Sequence, residues 1–486
     1  MNKDILTLQP QTVWKYFSEI LNIPRPSKKE EKIIAYLLEF GKTNKLETLQ
    51  DEIGNVLIRK PATKGMEDRA SVVLQSHIDM VCEKNSDKVH DFDNDPIESH
   101  IEGEWVKANG TTLGADDGIG VAAQLAVLTA SDIEHGPIEC LFTIDEETGL
   151  TGAFGLKPGF LKSNILLNLD SEDEGQLFIG CAGGQDTLAW LPFDYEPAPE
   201  NYSAFQIMVS GLTGGHSGDD INKGRGNANK ILNRFIWENQ TDFQLKLHHF
   251  DGGNLRNAIA REATAIVLVP TEKAKALAEK LEQFKVMSQV EFSVTEPNLD
   301  INIKPVDLPE TIIDEDSLFA LTNAIYACPH GVLAMSPTME NFVETSTNLA
   351  SVKFLENEIQ LTTSQRSSVE SEKHDATNMV KSVFKLAGAH TKTSDGYPGW
   401  KPNPSSPIVD LSAQSYRKLF NQEPEVLAIH AGLECGLIGD KYPEMDMISF
   451  GPTIKGAHSP DERLHIDSTI KFWDLLIEIL KNIPKA

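Results

Sequence analysis

Apolar residues recur along this chain at two periods, and the switching between them sets out its elements. Spacing near 3.6 residues predicts amphipathic helices over residues 10–21 and 28–43. Short apolar runs at residues 55–58, 72–75, 138–144 and 165–169 predict strands, and a helix follows Gly118 in GIGVAAQLAVLTA. Helices interleaved with such strands predict an α/β unit whose central sheet is covered on both faces. Near residues 182–184 the pattern changes. Strands at 205–209, 264–269 and 290–294, with helices at 227–237, 272–284, 317–327 and 372–386, predict a smaller α+β unit. The Gly-, Pro- and Ser-rich stretch TKTSDGYPGWKPNPSSP, residues 391–407, suits a return to the first unit. A helix at 408–420, strands at 426–430 and 447–450, and a closing helix at 468–483 complete it. The expected organisation is discontinuous, with residues 1–184 and 387–486 in one domain and residues 185–386 inserted as another.

A length of 486 residues exceeds one ordinary hydrophobic core, in keeping with two domains. The formal charge of −28 would repel phosphate backbones and anionic lipid, so neither nucleic acid nor membrane is an expected partner. No apolar run approaches a membrane span, and MNKDILTLQPQ lacks the apolar centre of a secretory signal, so the expected location is cytoplasmic. Cys82, Cys140, Cys181, Cys328 and Cys435 are scattered, with no Cys-x-x-Cys pair, as befits free thiols.

Several familiar motifs fail on their details. The run DFDND from Asp91 has a calcium-loop rhythm, but Pro96 stands where the sharp turn needs glycine. Gly118-x-Gly120-x-x-Ala123 fits a relaxed dinucleotide fingerprint, yet TTLGADD, not an apolar strand, precedes it. What remains is a set of imidazoles and carboxylates at strand ends and turns. His77 and Asp79 close VVLQSHID; Asp116 and Asp117 lie in LGADDGIG. Asp145, Glu146 and Glu147 follow IECLFTI; Asp170 ends NILLNLD, and His458 lies in GPTIKGAHSPDE. Taken singly, each has an ordinary reading as a cap, a strand terminator or a solvated rim. Taken together, they lie where open α/β sheets gather ligands, outside the carboxyl ends of the strands. Two imidazoles and three carboxylates suffice for a pair of divalent ions sharing one carboxylate. Nitrogen and oxygen donors without thiolate suit zinc, with manganese or cobalt as possible substitutes.

The segments SHIDMV, LGADDGIGVA, TIDEETGLTGA, NLDSEDEG, GGHSG and GAHSPDE resemble the dizinc family of aminoacylases, carboxypeptidases and dipeptidases. VHDFDNDPI, GCAGG, GNLRNAI, VETSTN, YPGW, HAGLECGL and YPEMDM resemble its aminoacyl-histidine dipeptidase branch, the Xaa-His or cytosolic non-specific dipeptidases. The resemblance runs from about residue 10 to the C-terminus. It implies a zinc-peptidase-like α/β catalytic domain with an inserted α+β lid and dimerisation domain, and hence a homodimer. It implies hydrolysis of unblocked dipeptides, Xaa-His among them, by a water bridged between two zinc ions. His77 and Asp170 would hold one zinc, Glu147 and His458 the other, and Asp116, rather than Asp117, would bridge them. Asp79 would orient its neighbouring ligand, and Glu146 would be the general base. His216 would polarise the substrate carbonyl, with Asn257, Arg366 and Gly432 near the substrate's carboxylate end. His248 and His249 read as ordinary strand residues. Two other readings stand beside this one: an N-acyl-amino-acid deacylase or tripeptidase on the same scaffold, and a metal-binding protein without catalysis. Glu146 and Asp79 speak against the last, since metal storage needs no base.

Overall fold

The computed structural model describes residues 3–486. The chain divides into two compact units, one running to Cys181 and resuming over Trp400–Ala428 and Leu433–Ala486, the other comprising Ala182–Gly399 and Ile429–Gly432.

The first unit is built on an eight-stranded sheet in the order Glu47–Gln50, Val56–Lys60, Ile138–Thr143, Val72–His77, Ile165–Asn168, Asp446–Ser449, Gln176–Cys181, Glu425–Ile429. Its middle four strands are parallel, and the outer pairings at Val56–Lys60 and Gln176–Cys181 are antiparallel. All six residues of Val72–His77 and of Ile138–Thr143 are buried, which is why these segments read as continuous apolar runs. Helix Ala115–Thr129 is apolar nearly all round and packs on Val72–His77 and on helix Gln11–Ile20. A smaller antiparallel sheet joins Ile454–Lys455, Arg463–His465, Trp105–Ala108 and Ser99–Glu102.

The second unit is an α+β layer structure. Its antiparallel sheet runs Asp300–Val306, Tyr202–Ser210, Ala263–Pro270, Lys246–Gly252, Val343–Phe354, Glu358–Ser367, Gly183–Pro192, His390–Thr393, with Gly331–Met335 added beside Val343–Phe354. Helices Ala228–Asn239, Ala274–Glu291, Glu315–Ala327 and Glu370–Leu386 place Leu232, Leu281, Leu321 and Phe384 in one core with the strands. Two of them start on side-chain caps: Asn227 accepts the Lys230 N–H and Asp314 the Ser317 N–H.

Two details depart from the sequence-based expectation. The unit continues past residue 387 to Gly399, because strand His390–Thr393 pairs with Gly183–Pro192. No strand forms at residues 290–294. The run VEFSV alternates as a strand would, but helix Ala274–Glu291 enters it: Leu277, Leu281, Phe284 and Ser288 hold one helical face on the core while Val290 and Val294 stay exposed. No helix among the described residues is long and apolar enough to cross a membrane.

Candidate metal centre

The carboxyl ends of three neighbouring parallel strands of the first unit converge on one cluster. His77 ends the central strand, Asp170 follows Ile165–Asn168, and Glu146 and Glu147 follow Ile138–Thr143. Asp116 enters from the start of helix Ala115–Thr129, where its ψ of 113° keeps it off the helical path. His458 comes from the loop before Arg463–His465. One Asp116 oxygen lies 3.0 Å from His77 Nε2, and the other 3.1 Å from His458 Nε2. Asp170 Oδ1 stands 3.4 Å from His77 Nε2, and Glu147 Oε2 stands 3.0 Å from His458 Nε2. His77, Asp116 and Asp170 thus form one group of donor atoms, each within 4.8 Å of the others, and Asp116, Glu147 and His458 form a second. A third group, His77 with Glu146 and Glu147, overlaps both.

Asp79 serves two neighbours. Its Oδ1 is 3.3 Å from His77 Nδ1, close enough for ion pairing but not aligned as a hydrogen bond. The same carboxylate accepts the N–H groups of Glu146 at 3.0 Å and Glu147 at 3.3 Å, and the Ser27 hydroxyl at 2.8 Å. The acid run is therefore not a simple strand end, as the sequence pattern implied. The strand stops at Thr143, Asp145 turns the chain at φ +48°, and Glu146–Gly149 forms a helical turn whose first amides Asp79 caps. Asp145 is held by the hydroxyls of Thr148 and Thr151, and its N–H meets Glu30. The buried trio Glu30, Asp79 and Asp145 thus shapes the turn. Asp117, the neighbour the motif set aside, accepts the Gly120 N–H and stays buried.

A buried polar row lies beneath the cluster, and sequence reasoning passed over it. Glu434 accepts Gln75 Nε2 at 2.6 Å and the Thr143 hydroxyl at 2.8 Å; Gln75 accepts Asn168 at 2.6 Å; Asn168 accepts Ser449 at 2.5 Å. Gln75 and Asn168 each stand two residues before a group of the cluster, on the same side of their strands. Polar residues inside apolar strands were the signal available in the sequence.

The cluster is electrostatically incomplete on its own. Burial opposes charge on His77, yet Asp170 and the contacts with Asp116 and Asp79 hold its pKa well above the usual histidine value. Hydrogen bonding to Asp116 and Glu147 pushes His458 up to about 11. Burial, then the imidazole bonds, act on Asp116, and the bonds win, leaving it well below the ordinary range. Burial lifts Asp170 to about 7, with the charges of Asp116 and Glu147 adding to the rise, and lifts Glu146 well above its ordinary value. Protons on the imidazoles are thus drawn in to offset packed carboxylates. Divalent cations on neutral imidazole and carboxylate would offset them better. Glu147 Oε1 is also buried without a hydrogen-bond partner. The donor set fits divalent metal.

The remaining expected residues lie in the second unit, where the structure brings them together. The Arg366 guanidinium, 6% exposed, reaches Ser217 Oγ at 3.3 Å, the Tyr397 hydroxyl at 3.1 Å and His216 Nε2 at 3.4 Å. Asp219 stands 3.3 Å from His216 Nδ1. Strand Gly215–His216 pairs with Ala258–Ile259, and Asn257 accepts the Ser217 N–H through its main chain. Gly432 is required where it stands, since a Cβ there would come within 2.8 Å of the Tyr397 ring. Sequence reasoning did not single out Tyr397, Asp219 or Ser217. His248 and His249 lie in strand Lys246–Gly252, as expected.

An α/β sheet that delivers two imidazoles and several carboxylates to one edge defines a candidate site for divalent metal. The sequence of residues 73–482 matches peptidase family M20/M25/M40, and the chain belongs to that family. It is 45% identical over 481 residues to the cytosol non-specific dipeptidase of Escherichia coli (strain K12), with 99% of each chain covered. Among solved structures it is similar to the aminoacylhistidine dipeptidase from Vibrio alginolyticus, at a TM-score of 0.94 and 45% identity, covering 99% of this chain and 98% of that one. The aminopeptidase PepT from Bacillus cereus shares the fold at a TM-score of 0.57 and 15% identity, covering 98% and 99% respectively.

Proposed function

We propose that this chain is a dizinc dipeptidase that hydrolyses unblocked dipeptides, Xaa-His among them. The observation that carries the reading is Asp116, whose two oxygens stand 3.0 Å and 3.1 Å from two different imidazoles. In this reading His77 and Asp170 would hold one ion, Glu147 and His458 the other, and Asp116 would be shared. When bound, such an ion pair supplies Lewis acidity, polarising a carbonyl and easing loss of a proton from water. Glu146 accepts the proton of the attacking water and returns it to the leaving amine as the C–N bond breaks. Asp79 keeps Glu146 and Glu147 in their helical turn through the two backbone amides it caps. Arg366, whose guanidinium bonds go to Ser217, Tyr397 and His216, offers a planar fork to the substrate's terminal carboxylate. His216 donates to the carbonyl oxygen, and Asn257 and Gly432 border the carboxylate end. The 45% identity to relatives described as dipeptidases supports the substrate class. A cytoplasmic location accords with the Escherichia coli relative's description as a cytosol enzyme.

The purified chain is expected to release histidine from Ala-His, to lose that activity on chelation, and to regain it with zinc. Hydrolysis of N-acetyl-amino acids in place of Ala-His would replace the dipeptidase reading with a deacylase one. The reading also includes a homodimer through the second unit, as the family resemblance implies. Sedimentation velocity is expected to report the mass of two chains; a single-chain mass at micromolar concentration would refute the dimer.

A further inference from the structure

Two buried charges of the first unit lie outside the donor set yet touch three of the segments that build it. Glu462 is 2% exposed and accepts four consecutive amides: Leu113 at 2.7 Å and Gly114 at 2.9 Å on one oxygen, Ala115 at 2.7 Å and Asp116 at 3.3 Å on the other. The loop that supplies His458 therefore also supplies the carboxylate around which the Asp116 loop is wrapped. Its own turn is closed by the Glu462 N–H on the Ser459 carbonyl at 3.0 Å. Arg25, also 2% exposed, donates to the carbonyls of Ile78 at 3.1 Å and Asp79 at 2.5 Å through Nη1, and to Gly114 through Nη2 at 2.5 Å. Its backbone carbonyl receives the Met80 N–H at 3.2 Å. Arg25 thus ties the His77–Asp79 segment to the Asp116 loop. Gly114 is the meeting point, with its N–H on Glu462 and its carbonyl on Arg25.

Two of the three glycines of LGADDGIG follow from this arrangement rather than from any nucleotide. A Cβ at Gly114 would lie 2.6 Å from Arg25 Nη2, and one at Gly118 would lie 2.5 Å from it. Gly114 also adopts φ +71°, which favours glycine. Burying two full charges costs several kcal/mol each, and an apolar pair of similar volume is often as stabilising or more so. Stability alone is therefore a poor reason for the pair. What it does supply is a fixed spacing among three segments that each carry a group facing Asp116 or Asp116 itself.

We infer that Arg25 and Glu462 are positioning residues, a buried clamp that sets the shared carboxylate Asp116 between His77 and His458 and so fixes the affinity of the site for its metals. The inference rests on the metal reading above. Glutamine at 462 would keep one oxygen for two of the four amides and turn an NH2 group toward the other two. Lysine at 25 would keep the charge but lose the planar fork that spans three carbonyls.

The test uses the full-length chain and its Glu462→Gln and Arg25→Lys variants, with zinc binding measured by competition against a chromophoric chelator. Each variant is expected to lose about 10–100-fold in zinc affinity. At saturating zinc, kcat on Ala-His is expected to fall by about tenfold, the lower end of the same range, while KM stays near wild type. Wild-type zinc affinity and kcat in both variants, whatever their urea midpoints, would overturn the clamp and leave the pair merely structural. If Glu462→Gln does not fold, Arg25→Lys decides alone by the same two readouts. Wild-type chain that binds no zinc would overturn the metal reading itself, and the clamp with it.

Discussion

Replacing Glu146 with glutamine is expected to lower kcat on a dipeptide by about 10²–10⁴-fold, with KM and bound metal unchanged. Glu146 is held in place by its backbone N–H, which Asp79 accepts at 3.0 Å, so an isosteric side chain keeps the helical turn. Glu147, whose N–H the same carboxylate caps at 3.3 Å, keeps its approach to His458. The amide is neutral, presents an NH2 group in place of one oxygen, and cannot take up a proton. A role as proton carrier therefore predicts a change confined to turnover. Glu146 also lies within reach of His77 and Glu147 in one of the donor groups, so a ligand role is the competing account. Metal content separates the two. Loss of an equivalent of zinc in Glu146→Gln would make Glu146 a ligand, and full activity with full metal would remove it from the chemistry.

Much of this centre could be read before any coordinates, for a physical reason. His77 and Asp170 close buried apolar strands, where a polar group is costly enough to stand out, and the acid run follows another such strand. Parallel strands then carry these ends to the same edge of the sheet, so separate signals in sequence became neighbours in space. The supporting residues lacked that contrast. Glu462 reads as one more acid in HSPDE, and Arg25 as a cation between two prolines; their meaning lies in amides and carbonyls contributed by distant segments. Glu434 was hidden for the same reason, since it starts a helix and its partners Gln75 and Thr143 sit on two strands distant in sequence. Fold-level reading failed where local alternation competed with a longer period, at residues 290–294. There, burial of Phe284 and Ser288 kept the helix going while the valines faced outward.

Asp116 is where the largest loss of metal is expected. An outer partner of a ligand is worth about 10–100-fold in metal affinity; Asp116 faces both imidazoles directly, so Asp116→Ala should exceed that loss and reduce bound zinc toward none. Asp116→Asn is more discriminating. Its single carbonyl oxygen can face His77 or His458 but not both, and its NH2 group offers no donor electron pair to a cation. One equivalent of zinc is therefore expected to survive at reduced affinity, with dipeptide hydrolysis lost. Two equivalents bound as tightly as in the wild type would refute a shared carboxylate. The metal-free protein provides an independent check. There Asp116 is the counter-charge of two protonated imidazoles, its pKa held below the ordinary value by their hydrogen bonds against the opposing effect of burial. A carboxylate with a depressed folded pKa contributes stability that is complete above its unfolded pKa, about 3.9 for aspartate, and is lost as pH falls through the folded value. Metal-free Asp116→Asn should accordingly unfold at lower urea than metal-free wild type at pH 7; on acidification the gap should narrow only below about pH 4, and on raising the pH it should shrink as the imidazoles lose their protons. A gap that closed between pH 8 and 6 would assign the stabilising charge to another group, because an aspartate depressed by its partners is still fully ionised there.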